Sequence, residues 1–218
     1  MKIRIHILVL FTILSGVVFG QEKCGYPTDH NLIKIVKELG ELDSNGERTG
    51  EWKLLWLDGE YEVGNYKKDK KQGQWKRFYG NGKLQQIGNY KDNEKSGKWK
   101  EYSYEHLTKV VNYVEGKLTG KWKEYHKNGK IRTKGNYKNG TPIGEWRWYY
   151  ENGKLNSIQN RNSEGYLEGE YKVYDGNGKI EIIGWFKTFK KENKVEVKKS
   201  GEWKYYDEQG KLIKTENF

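Results

Sequence analysis

Past the first twenty residues, the side chains able to do acid–base or metal chemistry are few and scattered. Three histidines remain, His30, His106 and His126, and none stands at metal-ligand spacing or in a helical His-x-x-x-His pair. Cys24 is the only thiol, so neither an internal disulfide nor a thiolate zinc site is available. Glu51, Glu145, Glu170 and Glu202 recur in equivalent surroundings. Such a row is expected of structural side chains, because a catalytic carboxylate pair would break the symmetry. There is no Gly-x-Ser-x-Gly elbow, phosphate loop or dinucleotide fingerprint. The reading is a non-enzymatic protein without a cofactor.

The composition bounds what must position these groups. The chain has 218 residues, 33% charged and 34% hydrophobic, which argues against a large conventional core. An aromatic share of 15%, with 9 Trp and 17 Tyr, argues equally against disorder. With 27 Gly but only 2 Pro, the pattern is of short strands joined by tight turns.

A repeat supplies the architecture. Gly-x-aromatic opens seven units: Gly50-Glu51-Trp52, Gly73-Gln74-Trp75, Gly97-Lys98-Trp99, Gly120-Lys121-Trp122, Gly144-Glu145-Trp146, Gly169-Glu170-Tyr171 and Gly201-Glu202-Trp203. Their spacings are 23, 24, 23, 24, 25 and 32 residues, the signature of a repeat array. Within a unit, Trp122–Tyr125 reads as a strand, Asn128-Gly129 as a two-residue type I′ turn, and Ile131–Tyr137 as the returning strand. Asn81-Gly82, Asn152-Gly153 and Asn177-Gly178 repeat the turn, whereas the third unit has Glu105-His106 there and should turn differently.

Seven hairpins give an all-β fold: an elongated, twisted antiparallel sheet in which neighbours share an aromatic stripe. The core row is Trp52, Trp75, Trp99, Trp122, Trp146, Tyr171 and Trp203. A second row stands three residues on: Phe78, Tyr102, Tyr125, Tyr149, Tyr174 and Tyr206. Three residues of ideal strand reverse the face, so either a bulge near the opening Gly turns both rows inward or each face carries one. The Trp row is expected inside, and the Tyr row partly exposed. Tyr102, Tyr125, Tyr149 and Tyr174 are therefore candidate binding residues.

Asp29 to Gly40 reads as a short helix, capped by Asp29, ended by Gly40 and covering the start of the array. Asp43-Ser44-Asn45-Gly46 reads as the turn of a partial first unit. The domain division is 1–20 signal peptide, 21–49 tail and helical cap, and 50–218 repeats. The sixth unit is longer than the rest. Two alternating arms around Glu192-Asn193 suggest a projecting hairpin whose Lys187, Lys190, Lys191 and Lys194 are candidate anion contacts. Lys67, Lys68, Lys70 and Lys71 form a lesser cluster.

Gly120-Lys121-Trp122-Lys123-Glu124-Tyr125, Asn128-Gly129-Lys130 and Gly135-Asn136-Tyr137 resemble the bacterial variant of the MORN repeat, over residues 50–218. The resemblance implies an elongated antiparallel sheet used as an interaction scaffold, with membrane-lipid binding in some eukaryotic members. Many bacterial relatives carry a YwqK-type antitoxin-component label, so the resemblance also implies an antitoxin-like alternative.

Lys2 and Arg4 ahead of an apolar run from Ile5 to Phe19, with a small-residue exit at Gly20, read as a secretory signal peptide. Those two cations account for part of the +11 formal charge, and the remainder favours anionic partners. For an exported chain, a protein partner comes first, anionic lipid or acidic polysaccharide second, and nucleic acid is set aside. Intact-mass measurement of the product of the full-length gene is expected to show a chain beginning near Gln21. Retention of Met1 in envelope or medium fractions would count against export by cleavage.

Overall fold

Short runs of strand-forming residues punctuated by Gly-containing turns have few alternatives to a meander, because each strand's nearest partner is the next one along the chain. The computed structural model describes residues 35–192 and 194–218, with side chains from Glu38 onward. It contains sixteen strands: β1 (Ile35–Leu42), β2 (Arg48–Trp56), β3 (Tyr61–Lys67), β4 (Lys70–Phe78), β5 (Leu84–Lys91), β6 (Glu94–Ser103), β7 (His106–Val114), β8 (Lys117–Leu118), β9 (Gly120–Tyr125), β10 (Ile131–Lys138), β11 (Thr141–Tyr149), β12 (Leu155–Arg161), β13 (Leu167–Tyr174), β14 (Ile180–Lys191), β15 (Lys194–Tyr206) and β16 (Leu212–Asn217). All pair antiparallel in sequence order, except that the short β8 pairs only with β7 and β9 takes its place in the line. The sheet is open and has no second layer among the described residues. Fifteen strands in line span roughly 65–70 Å.

The helical cap is corrected. Residues 35–40 lie in β1, which pairs with β2; residues 29–34 and the signal segment 1–20 lie outside the described residues. Gly40 does not terminate a helix. It lies under the Trp52 indole, as the closing Gly of a hairpin does in later units: a Cβ on Gly40 would sit 2.2 Å from Trp52. The Asp29 cap and Gly40 stop suit a helix, but the packing of Trp52 selects the strand.

The Asn-Gly turn is also corrected. Asn81 does not have positive φ; only Gly82 does, at 81°. Tyr79 N–H donates to Lys83 O (2.9 Å) and Gly82 N–H to Tyr79 O (2.8 Å), closing a longer loop with one left-handed residue at its end. Asn81 serves as an acceptor, its Oδ1 receiving Lys83 N–H at 3.1 Å, as Asn128 and Asn152 do for Lys130 and Lys154. Turns with positive φ at both central residues lie between hairpins, at Lys68-Asp69, Asp92-Asn93, Glu115-Gly116 and Asn139-Gly140. The third unit does turn differently: Ser103 pairs directly with His106, with Tyr104 at φ 56°.

The core is a single line of rings on one face. Each buried indole lies flat on a glycine of the preceding strand: Trp52 on Gly40, Trp75 on Gly64, Trp99 on Gly88, Trp146 on Gly135 and Trp203 on Gly184. These five are 2–6% exposed. A bulge accompanies each contact; for example, the β3–β4 register slips between Val63 and Asn65, opposite Gly73 to Trp75. The Trp75 Nε1–H donates to Asn65 O at 3.2 Å, with equivalents from Trp99 to Asn89 and from Trp203 to Trp185. Rings from the closing Gly-x-aromatic stand edge-on between the indoles. Tyr66 to Trp75 is 5.2 Å at 85°, and Tyr90 to Trp99 is 5.1 Å at 85°.

Two substitutions interrupt the ladder. Val111 stands where the third unit's glycine would be, and Trp122, next in line, is half-buried and tilted 45° to Tyr137. Gln159 replaces the fifth, and its neighbour in register is Tyr171 rather than Trp. At the far edge, Glu216 holds the glycine position opposite Trp203, fixed by Lys214 (2.5 Å) and the Tyr205 hydroxyl (2.8 Å). A further indole could not lie flat there.

Gly88→Ala is expected to destabilise the protein by about 1–3 kcal/mol through overpacking, and Trp99→Ala by about 3–5 kcal/mol, in urea unfolding. In the double variant the alanine methyl meets no ring, so the combined loss should fall short of the sum. Strict additivity would disprove the contact.

Candidate functional site

Residues across from each other in register share a face, and successive residues alternate. From Trp75 to Phe78 no residue is added on β4; the slip near its end lies on β5. Each face therefore carries one aromatic row. Phe78 stacks on Tyr61 at 4.8 Å on the side away from the indoles. Tyr102, Tyr125, Tyr149 and Tyr174 occupy the same register position, all half-buried. Trp52, Trp75, Trp99, Trp146 and Trp203 are buried on the indole face; Trp122 and Tyr171 are half-buried there.

The indole face is lidded by cations that sequence reasoning did not single out. They stand two residues before the opening Gly. Lys71 Nζ lies 4.0 Å from the Trp75 ring centre and 2.5 Å from Glu62. Lys95 Nζ lies 4.2 Å from Trp99 and 5.3 Å from Tyr113, and burial pulls its pKa down. Lys199 lies 4.4 Å from Trp203, and Arg48 is 4.2 Å from Tyr66. Leu118, Pro142 and Leu167 hold this position in the other units. A sheet without a second layer is covered here by long side-chain stems and their charges. Lys71, grouped by sequence with Lys67, Lys68 and Lys70, belongs to this lid.

The opposite face carries a longer basic row. The residue after each third-position aromatic is Lys53, Lys76, Lys100, Lys123, Arg147, Lys172 or Lys204. The register makes them one line: Lys76 faces Val63 and Ile87, Lys100 faces Ile87 and Val110, and Lys123 faces Val110 and Lys134. The repeated Trp-Lys dipeptide was the signal for it. Three of the four recurring glutamates have a partner in this row. Glu145 binds Arg147 (2.6 Å), Glu170 binds Lys172 (2.7 Å) and Glu202 binds Lys204 (3.0 Å).

The long β14–β15 hairpin departs most from the repeat. Trp185 and Phe189 are each 41% exposed, and the register puts them on the side opposite the indoles, together with Lys187, Lys191, Lys194 and Lys198. Lys190 turns to the other side and pairs with Glu164, while Lys194 and Lys198 share Glu196 at 2.6 and 2.7 Å. Val195 and Val197 add exposed apolar surface. Elsewhere, His106 and His126 line one open depression of about 510 Å³ with Tyr104, Glu105 and Tyr125. Among the described residues, no three His, Cys, Asp or Glu side chains are grouped to hold a metal ion. The arrangement offers surfaces for binding.

Against known families, five stretches match the MORN repeat variant: residues 71–92, 118–139, 142–162, 167–187 and 199–218. Each falls on one hairpin, from β4–β5 to β15–β16. The β6–β7 hairpin, outside these matches, is the one that carries Val111 and the shortened turn. No curated protein matches the chain significantly.

Burial pushes the Tyr90 phenol up to about 12, and burial likewise raises Tyr66, Tyr113 and Tyr137. A folded-state pKa above the unfolded value contributes stability that is whole below pH 10.0 and is lost as pH rises towards 12. Chemical unfolding followed across that window should show a steep alkaline loss, less steep in Tyr90→Phe. An unchanged slope in that variant would contradict burial of the phenol.

Proposed function

Since the chain carries five repeats of the MORN variant family, we propose that it is an exported, non-enzymatic scaffold that docks another protein on the β14–β15 hairpin. The observation that carries this reading is the pair Trp185 and Phe189, each 41% exposed, on the strand that outgrows the repeat. Aromatic anchors surrounded by charge are the usual centre of a protein interface. The fitting partner has an apolar pocket rimmed by carboxylates, matching Lys187 and Lys191. Export rests on residues 1–20, and it makes the YwqK-type antitoxin label the less favoured alternative. A binding role for the hairpin by charge alone is weakened by its internal pairs, Lys190 with Glu164 and Lys194 with Glu196.

Affinity capture from envelope and medium fractions should retain a specific protein on the parent chain. Trp185→Ala with Phe189→Ala should release it, at a cost of about 2 kcal/mol or more in affinity. Because both side chains keep 41% of their surface exposed, each should cost less unfolding free energy than Trp99→Ala. Capture undiminished by the double variant would refute the hairpin as the docking surface.

A further inference from the structure

We propose that the face opposite the indoles, across the second to fourth hairpins, binds a linear acidic polysaccharide carrying one anionic group per disaccharide. This surface is separate from the docking hairpin and does not depend on it. Its distinguishing feature is charge left without counter-charge. In units five, six and seven each cation of the row is held by the glutamate two residues before it. In units two, three and four that place is taken by Gln74, Lys98 and Lys121. The result is a patch of six cations: Lys76, Lys98, Lys100, Lys121, Lys123 and Lys134. Among the described residues, none of the six pairs with a carboxylate. Lys98, Lys100 and Lys121 are exposed.

The spacing of this charge selects the ligand. Lys76, Lys100 and Lys123 stand on alternate strands of the line, ~9.6 Å apart, or two interstrand steps. A pyranose ring in an extended chain is about as long as one such step of ~4.8 Å. Anions on alternate sugars therefore fall in register with cations on alternate strands. Duplex DNA, with one charge per ~1.7 Å of axis, is far denser than the row. A membrane surface would be served by exposed apolar side chains, but Phe78, Tyr102 and Tyr125 are half-buried in this stretch. Flanking chemistry also suits sugar. Asn136 faces Lys121 and Asn89 faces Gln74 in register, offering amides to hydroxyls, while the half-buried tyrosines offer ring edges and phenols.

The test is a titration of the mature chain with hyaluronan oligosaccharides, whose carboxylates recur once per disaccharide. Dextran, single-stranded DNA and phosphatidylglycerol vesicles serve as comparisons at the same ionic strength. Hyaluronan should bind tightest, with affinity falling steeply as salt is raised. Lys100→Glu with Lys123→Glu should weaken it about tenfold or more. Lys100→Gln with Lys123→Gln should weaken it in the same direction, which covers the case where charge reversal disturbs folding. Trp185→Ala with Phe189→Ala should leave hyaluronan binding unchanged, so that failure here and failure of the docking hairpin are read separately. The proposal is overturned by absence of binding or by affinity indifferent to the lysine changes. Equal binding of dextran, tighter binding of DNA or vesicles, or loss through the hairpin variant would also overturn it.

Discussion

An indole lying flat on a glycine of the neighbouring strand is the contact on which the rest of this structure depends. A lone sheet has no second layer against which to bury its aromatic side chains. Each ring must find cover from its own sheet, and only a residue without a Cβ lets a ring reach the backbone. At Gly40, Gly64, Gly88, Gly135 and Gly184 an added methyl group would come within about 2.1–2.3 Å of the indole. Burying a ring of this size is worth roughly 4–6 kcal/mol of gross hydrophobic free energy before entropy is counted. The contact always spans two strands, so it ties each hairpin to the one before it.

The exceptions support the rule because they occur within the same chain. The five third-position tryptophans that have a glycine seat are the five that are buried. Trp122 reaches a strand bearing Val111 and stays tilted and half-covered; the ring facing Gln159 is a tyrosine. The line of contacting rings consequently runs in three stretches, edge-to-face from Trp52 to Tyr113 and from Tyr171 through Phe186 and Trp203 to Phe218, but mostly tilted from Trp122 to Trp148. Glu216 takes the glycine position facing Trp203 and is held there by the Tyr205 hydroxyl.

The same constraint separates the two faces by chemistry. The indoles, and the cations that lie over them, occupy one side, where Lys71, Lys95 and Lys199 are committed to the core. Alternation then delivers the next residue of every first strand to the other side, and in all seven units that residue is basic. In units five to seven the glutamate two residues earlier neutralises the charge locally. In units two to four no glutamate stands there, and the face remains cationic.

Much of the fold is present in the primary chain. The spacing of Gly-x-Trp, the glycine-bearing turns and the closing Gly-x-Tyr determine hairpins, their order and the identity of the core rings, because a meander needs only nearest-neighbour pairing. The extended sixth unit is equally legible from the length between Gly169 and Gly201. Other features depend on cross-strand packing, which periodicity does not encode. Ile35 to Gly40 has a helix-like spacing and becomes a strand because Trp52 needs Gly40 beneath it. Asn-Gly fits two turn types equally well, and the register decides between them, giving Asn81 an acceptor's role. Which lysines cover rings and which face outward is likewise set by strand register: Lys71 and Lys76 are alike in type, yet the sheet places them on opposite faces.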